Sequence, residues 1–356
     1  MSGRIDILPY ALKLAQEYRW AKGVQTERSG LLVRVQAWGF EGFGESAPPI
    51  HFVINATTMA EEARAMIAGI PVEAEDFLAQ IDARGVPARM RTGIAAAWMS
   101  ARAAAAGKPL GALIGAAPAT MVPVNGLVTE KTPELAAARA AALMAEGYRT
   151  IKVKCWEDRA SDLARVAAIR AAAPDAKLRL DANEAWHQDW ALDHVRDLAR
   201  YDIDYIEQPI PSARPLAEIA AFRRSSPVRT ALDESATDEA SVRAILAAGA
   251  ADVVILKTQR AGGPDRARAI IAACAEHGVQ VTVTVSLESA VGTAVALHVA
   301  STLRAPIPDC GIPMGRFLAE DLGPMPPVEP GAVMRVPPGA GLGLVPTLRW
   351  PRSPER

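Results

Sequence analysis

The sequence predicts an α/β protein in which a closed (β/α) barrel carries a smaller α+β unit. Three observations point there. From about residue 121, short apolar runs alternate with amphipathic helical stretches, and the runs close on Asn125, Lys154, Asp181, Glu207, Asp233, Lys257, Ser286 and Gly311. Their spacings of 29, 27, 26, 26, 24, 29 and 25 residues each fit one strand, one helix and two short loops. Ahead of this repeat the texture is different, first β and then α, and behind it the chain turns rich in proline and glycine.

The opening unit takes residues 1–115. In "SGLLVRVQ" (29–36), Leu31, Val33 and Val35 alternate with Leu32, Arg34 and Gln36, the period of a strand. The glycine-rich "GFEGFGES" (39–46) reads as a turn and a second short strand. Helices follow in "TMAEEARAMIAG", "VEAEDFLAQIDARG" and the alanine-rich "ARMRTGIAAAWMSARAAAAG", which ends on Gly107 as a C-cap. Residues 116–320 form the barrel. Its helices carry the expected punctuation: "SDLARVAAIRAAA" begins on Ser-Asp, and "PDRARAIIAACAEHG" has Pro-Asp at its head and Gly at its tail. In the segment 321–356, Val333, Met334 and Val336 make a small apolar strand, expected to return over the opening unit.

Bulk composition narrows the function classes. Of 356 residues, 50% are hydrophobic and 22% charged, and 39 Lys+Arg against 40 Asp+Glu give a net charge of −1. There is no basic excess for nucleic acid and no uninterrupted apolar run long enough for a membrane span. Three separated cysteines, Cys155, Cys274 and Cys310, suit a reducing compartment better than a disulfide framework. The opening residues lack the apolar core of a signal peptide, so a cytoplasmic location is expected.

The polar residues that close the runs carry the functional signal. In "RTIKVKC", Ile151 and Val153 point to one face and Lys152 and Lys154 to the other. Asp181 ends "LRLD", Glu207 ends "DYIE", Asp233 ends "RTALD" and Lys257 ends "DVVILK". In a barrel these C-terminal strand ends converge on one mouth. A single Asp at a strand end is most commonly a helix cap, and a single Lys is most commonly solvated. Asp, Glu and Asp on consecutive strands, with Lys-x-Lys before and Lys after, are not explained by capping. Three neighbouring carboxylates repel unless a cation sits among them, and all-oxygen donors favour a hard divalent ion, Mg²⁺ or Mn²⁺ in its place. Zn²⁺ fits poorly, since the five histidines are scattered. Asn183, Ser286 and Gly311 flank the ring as candidate substrate contacts, although Asn183 and Ser286 would serve equally as helix caps. Cys155 points away from the lysines, into the core.

These motifs resemble the enolase superfamily in its muconate-lactonizing subgroup: Lys-x-Lys in "KVK", Asp in "DAN", Glu in "EQP", Asp in "DES", and Lys in "LK" ahead of "RAGG". The resemblance covers nearly the whole chain. It implies a modified TIM barrel, (β/α)7β, with a capping domain formed by the N-terminus and the C-terminal tail. It implies Mg²⁺ on Asp181, Glu207 and Asp233, acid/base chemistry by Lys154 and Lys257 with Lys152 in support, and a small-molecule carboxylate substrate. Loops near 17–28 and 47–55 would shape specificity. Within the subgroup, "RLDANEAW", "VSLESAVG" and "DCGIPMGRFLAEDL" are most similar to the o-succinylbenzoate synthase branch. Racemases of N-acylated amino acids, dipeptide epimerases and muconate cycloisomerases share the ring. An epimerase would be expected to carry Asp-x-Asp after the last strand, where this chain has only Asp309. The oligomeric state stays open.

Overall fold

The structure is a computed structural model that describes residues 3–20, 23–48, 55–156, 158–347 and 350. The chain opens with an antiparallel sheet of β1 (Arg4–Trp20), β2 (Gly23–Ala37) and β3 (Phe40–Ser46), in that order. Ile7 lies opposite Val33, and Leu31 opposite Ser46. Helices α1 (Ala56–Ile67), α2 (Phe77–Ala83) and α3 (Ala88–Ala105) complete this cap. Helix α2 is shorter than expected. Pro71 and the acidic run to the N-cap Asp76 precede it, and it buries only Phe77 and Ile81.

The glycines of "GFEGFGES" have a role that composition did not separate from turning. The turn is at Trp38 and Gly39, both at positive φ, and Gly42 and Gly44 stand inside β3. A Cβ at Gly42 would meet the Ala97 carbonyl at 2.1 Å, and one at Gly44 the Gly93 carbonyl at 2.2 Å. Bare glycine on the sheet and alanine on α3 therefore let helix backbone lie directly on strand backbone. Trp98 closes the far end, stacked on Phe77 at 5.7 Å with its indole N–H donating to Val72 O at 2.7 Å.

The short helix α4 (Gly111–Ile114) leads through β4 (Met121–Pro123) into the barrel. Its strands are β5 (Gly126–Val128), β6 (Thr150–Lys154), β7 (Lys177–Asp181), β8 (Ile203–Glu207), β9 (Arg229–Leu232), β10 (Val253–Leu256) and β11 (Gln280–Val283). All pair in parallel, in sequence order. The crossovers are α5 (Pro133–Ala145), α6 (Arg159–Ala172), α7 (Gln188–Leu198), α8 (Leu216–Ser225), α9 (Glu239–Ala248), then α10 (Thr258–Ala261) with α11 (Pro264–Glu276), and α12 (Ala290–Ala300) follows β11. The eighth wall is a minimal one. Cys310 bridges to Val124 and Gly311 to Thr284, both parallel, so two residues join β11 to the start of the barrel. This is the (β/α)7β architecture with an α+β cap.

The first apolar run, "MVPVNGL", divides in two. Only Gly126–Val128 joins the barrel ladder. Met121–Pro123 instead pairs antiparallel with β13 (Val333–Arg335), itself paired with β12 (Val328–Glu329). The expected return strand thus forms, but on β4. The tail reaches the cap from Gly341 onwards, where Leu110 N donates to Gly341 O at 2.7 Å and Trp350 stacks on Phe43 at 6.2 Å.

Cap and barrel are joined through a buried carboxylate. Glu45 of β3 accepts from Ser289 Oγ at 2.6 Å and Gly292 N at 2.7 Å, and also from the Tyr10 hydroxyl. It covers the N-terminus of α12, where free N–H groups and the helix dipole favour a negative charge. Arg28, also buried, donates to the carbonyls of Leu287 (3.0 Å), Pro48 (2.7 Å) and Ala47 (2.5 Å). Among the described residues no helix is long and apolar enough to cross a membrane.

Candidate active site

The site grows from a simple rule of strand geometry. Side chains two apart on a barrel strand share the interior face. Tyr205, Ala231, Val253 and Ile255 form a small apolar cluster, and the same faces continue to Glu207, Asp233 and Lys257. Register does the rest: Lys154 lies opposite Asp181, and Asp181 opposite Glu207. A charged ring therefore sits on an apolar floor, which raises the strength of every interaction in it.

Asp181, Glu207 and Asp233 are all buried. Lys152 Nζ lies 2.7 Å from Asp181 Oδ2 and 2.8 Å from each Glu207 oxygen. Lys154 Nζ donates to Asp181 Oδ2 at 2.7 Å and Asn183 Oδ1 at 2.6 Å. Lys257 Nζ donates to Asp233 Oδ2 at 2.6 Å, and Arg260 approaches Asp233 Oδ1 at 3.1 Å. Burial works against every charge here, so partners decide. Burial alone would raise Asp181, but the ammonium groups of Lys152 and Lys154 hold it well below the usual carboxylate range. Burial and then the Asp181 charge push Glu207 up to about 8, against the pull of Lys152. Burial would lower Lys152, and Asp181 and Glu207 raise it well above its ordinary value. At Glu207 one ammonium, Lys152, is shared with Asp181 between two carboxylates.

That sharing bears on a metal. Glu207 Oε2 is buried without an aligned hydrogen-bond donor, and the donors around it are all hard oxygens. This chemistry fits a divalent cation of the Mg²⁺ kind. Lys152 stands between Asp181 and Glu207, however, and among the described residues no three Asp, Glu, His or Cys side chains already gather around one point. An ion would compete with the Lys152 ammonium for the same oxygens.

A cavity of about 1140 Å³ opens above the ring. Lys152, Lys154, Asp181, Asn183, Lys257, Ser286 and Gly311 line it, whereas Glu207 and Asp233 lie beneath, held by Lys152 and Lys257. All nine expected residues thus belong to one neighbourhood. Strand β6 is second and β10 sixth in a wall of eight, so Lys154 and Lys257 face each other across the mouth. Asn55, Thr58 and Met59 of the cap form part of the cavity's outer wall. Of the loops expected to set specificity, residues 21–22 and 49–54 lie outside the described residues.

Several cavity residues escaped the sequence reading. Glu234 accepts from Asn183 Nδ2 at 3.1 Å, and burial followed by the Asp233 charge pushes it up to about 6. Arg260 stands three residues after Lys257, one turn into α10. Gln259 ties the Ala47 amide and the Glu45 carbonyl at 2.8 and 2.9 Å. The positions directly after Asp233 and Lys257 were the available signal, since a strand end and the turn that follows share the mouth.

A lysine-flanked carboxylate ring thus stands at the C-terminal end of a capped (β/α)7β barrel, and the comparisons give that fold a family. The family model for the enolase C-terminal domain-like fold matches residues 135–349. The chain belongs to this family. It is 38% identical over 205 residues to the o-succinylbenzoate synthase of Thermobifida fusca (strain YX), covering 56% of this chain and 62% of that protein. It is 36% identical over 243 residues to the o-succinylbenzoate synthase of Mycobacterium ulcerans (strain Agy99), covering 66% and 69%. The match thus spans a little under two thirds of the Thermobifida protein. The crystal structure of a mandelate racemase/muconate lactonizing protein from Herpetosiphon aurantiacus superposes with a TM-score of 0.87 at 26% identity, over 97% of this chain and 98% of that one.

Proposed function

We propose that the protein is an o-succinylbenzoate synthase, which dehydrates 2-succinyl-6-hydroxy-2,4-cyclohexadiene-1-carboxylate through an enediolate. The observation that carries this reading is the facing pair Lys154 and Lys257 over buried oxygen donors. Asp181, Glu207 and Asp233 would hold Mg²⁺, which when bound supplies positive charge to the substrate carboxylate. Lys154 Nζ, as the neutral amine, takes the proton from the carbon beside that carboxylate. The C–H electron pair delocalises into the carboxylate. The neighbouring C–O bond then breaks, the hydroxyl leaves as water with the proton returned by Lys154, and the ring becomes aromatic. Lys257 stays protonated on the opposite face and opposes the growing negative charge. Lys152, fixed by two carboxylates, is a supporting cation beside Lys154 on the same strand face.

Facing lysines also suit racemisation of N-succinyl amino acids, the second reading. A dipeptide epimerase is less well supported, because Asp309 is engaged by the Thr150 hydroxyl and its backbone carbonyl by Arg179. The test is turnover of the cyclohexadiene substrate with Mg²⁺ and with EDTA, beside N-succinyl amino acids in deuterated water. Metal-dependent dehydration supports the synthase. Deuterium entering only the amino acids moves the assignment to racemase.

A further inference from the structure

A fully buried carboxylate behind the catalytic face gathers both loops that hold Lys154. Asp162 lies in the first turn of α6 with no exposed surface. Its two oxygens accept from Trp156 N at 3.1 and 3.2 Å, and Oδ2 also accepts from the Trp186 indole N–H at 3.2 Å. Arg165, equally buried and three residues on, donates to Oδ1, and His194 Nε2 stands 3.7 Å from Oδ2. Trp156 is two residues past Lys154. Trp186 is three residues past Asn183, whose Oδ1 accepts from Lys154 Nζ.

The second of these loops is strained. Asn183 and Glu184 both sit at positive φ, 43° and 67°. Two consecutive non-glycine residues in the left-handed region persist only where their surroundings over-determine them. The surroundings here are Trp186, fully buried and packed against His194 at 4.6 Å between ring centres, and Asp162 on its indole. One side chain on a helix thus fixes the backbone just after Lys154 and the loop that presents the Lys154 acceptor. It touches neither the cavity nor the charged ring.

We infer that Asp162 is a positioning residue that sets the Lys154–Asn183 geometry by clamping the Trp156 amide and the Trp186 indole together. Its catalytic consequence rests on the role proposed above for Lys154, whereas its geometric consequence does not. Asp162→Asn keeps the volume and loses an acceptor, but it strands the buried Arg165 charge. The double variant Asp162→Asn/Arg165→Met removes that charge as well. Trp186→Phe leaves the Asp162–Arg165 pair in place and deletes the indole donor to Asp162 together with part of the ring.

Crystal structures of the double variant and of Trp186→Phe are expected to show residues 183–184 leaving the left-handed region and Lys154 Nζ more than 3.5 Å from Asn183 Oδ1. Loops unmoved in both overturn the inference, whatever the substrate proves to be. In the dehydration assay, kcat per folded molecule is expected to fall about 10–100-fold with KM within about threefold. A purely structural role would instead lower the folded fraction and the melting temperature and leave kcat per folded molecule unchanged, and that result also overturns it. If the wild-type protein dehydrates nothing, the functional proposal fails while the crystallographic comparison still decides the role of Asp162.

Discussion

Lys154 is the side chain on which the proposed chemistry turns, and its environment separates its loss from loss of fold. Its ammonium bonds Asp181 and Asn183 from a cavity wall, while the core behind β6 is made by Ile151 and Val153. Lys154→Ala is therefore expected to reduce kcat by about 10²–10⁴-fold, the usual worth of a positioned acid/base group. Its urea midpoint should stay close to wild type, and wild-type kcat in the variant would refute the role. Glu288 supplies a second test at this scale. It is enclosed by Glu45, Arg28 and Tyr10, and burial above all pushes it from 4.5 up to about 7. Between those values the folded protein holds a proton that the unfolded chain has released, so stability falls as the pH rises. Glu288→Gln should remove that decline and gain about 3 kcal/mol above pH 7, read by urea unfolding across pH 4–8. A profile parallel to wild type would mean that Glu288 is ionised in the native state. The ring was legible in the sequence because a polar residue ending an apolar strand breaks a two-residue period. Glu234 and Asp162 were not, since loop and helix polar residues acquire meaning only from what tertiary packing sets beside them.

The elements show where local pattern succeeds and where it misleads. Repeating run lengths announced the barrel because each strand and crossover helix must bury one face on the next. The run "MVPVNGL" read as one strand because nothing local distinguishes residues that pair with β13 from those that pair with β6. Glycine was the harder case. In "GFEGFGES" it marks a turn at Gly39 and a close approach at Gly42 and Gly44, two demands met by one residue type. The close approach is testable. Gly44→Ala puts a methyl group where the Gly93 carbonyl stands 2.2 Å away, and backbone cannot swing aside as a long side chain can. Helix α3 must lift from the sheet, at a cost of about 3 kcal/mol in urea unfolding. A fully stable Gly44→Ala protein would show that α3 is not seated on β3 as described.

At the scale of the molecule, cap and barrel are joined by several buried polar contacts, those of Glu45, Arg28, Arg91 and Gln259 among them. Glu45 satisfies the start of α12 from the cap side. Glu45→Gln keeps its size but loses the charge that suits a helix N-terminus. It should cost about 1–3 kcal/mol and raise KM more than it lowers kcat, because the cap walls the outer cavity and not the charged ring. An unchanged KM would mean that the joint does not govern binding. A metal acts on the same scale. If Asp181, Glu207 and Asp233 hold Mg²⁺, the ion at 100 times its Kd adds about 2.7 kcal/mol of stability. Calorimetry should then show a melting temperature that rises with Mg²⁺ in the wild type and does not in Asp233→Asn. Equal shifts in both proteins would place the ion elsewhere.

The barrel wall is uneven around its circumference. From β6 to β10 each strand pairs with the next, with one register shift between β7 and β8, and this arc carries both lysine walls and all three carboxylates. Between β11 and β5, among the described residues, closure rests on Cys310 and Gly311, held by backbone bonds to Pro123, Asn125, Val283 and Val285. This seam borders the cavity at Asn125, Ser286 and Gly311. Amide hydrogen exchange should therefore be faster at 310–311 than along β7 and β8, because fewer bonds must open together. The division has an evolutionary reading. Under the proposed function, proton chemistry belongs to the densely paired arc and the candidate substrate contacts Ser286 and Gly311 to the sparsely paired one, so drift along the seam would exchange one carboxylate substrate for another while the reaction stays the same.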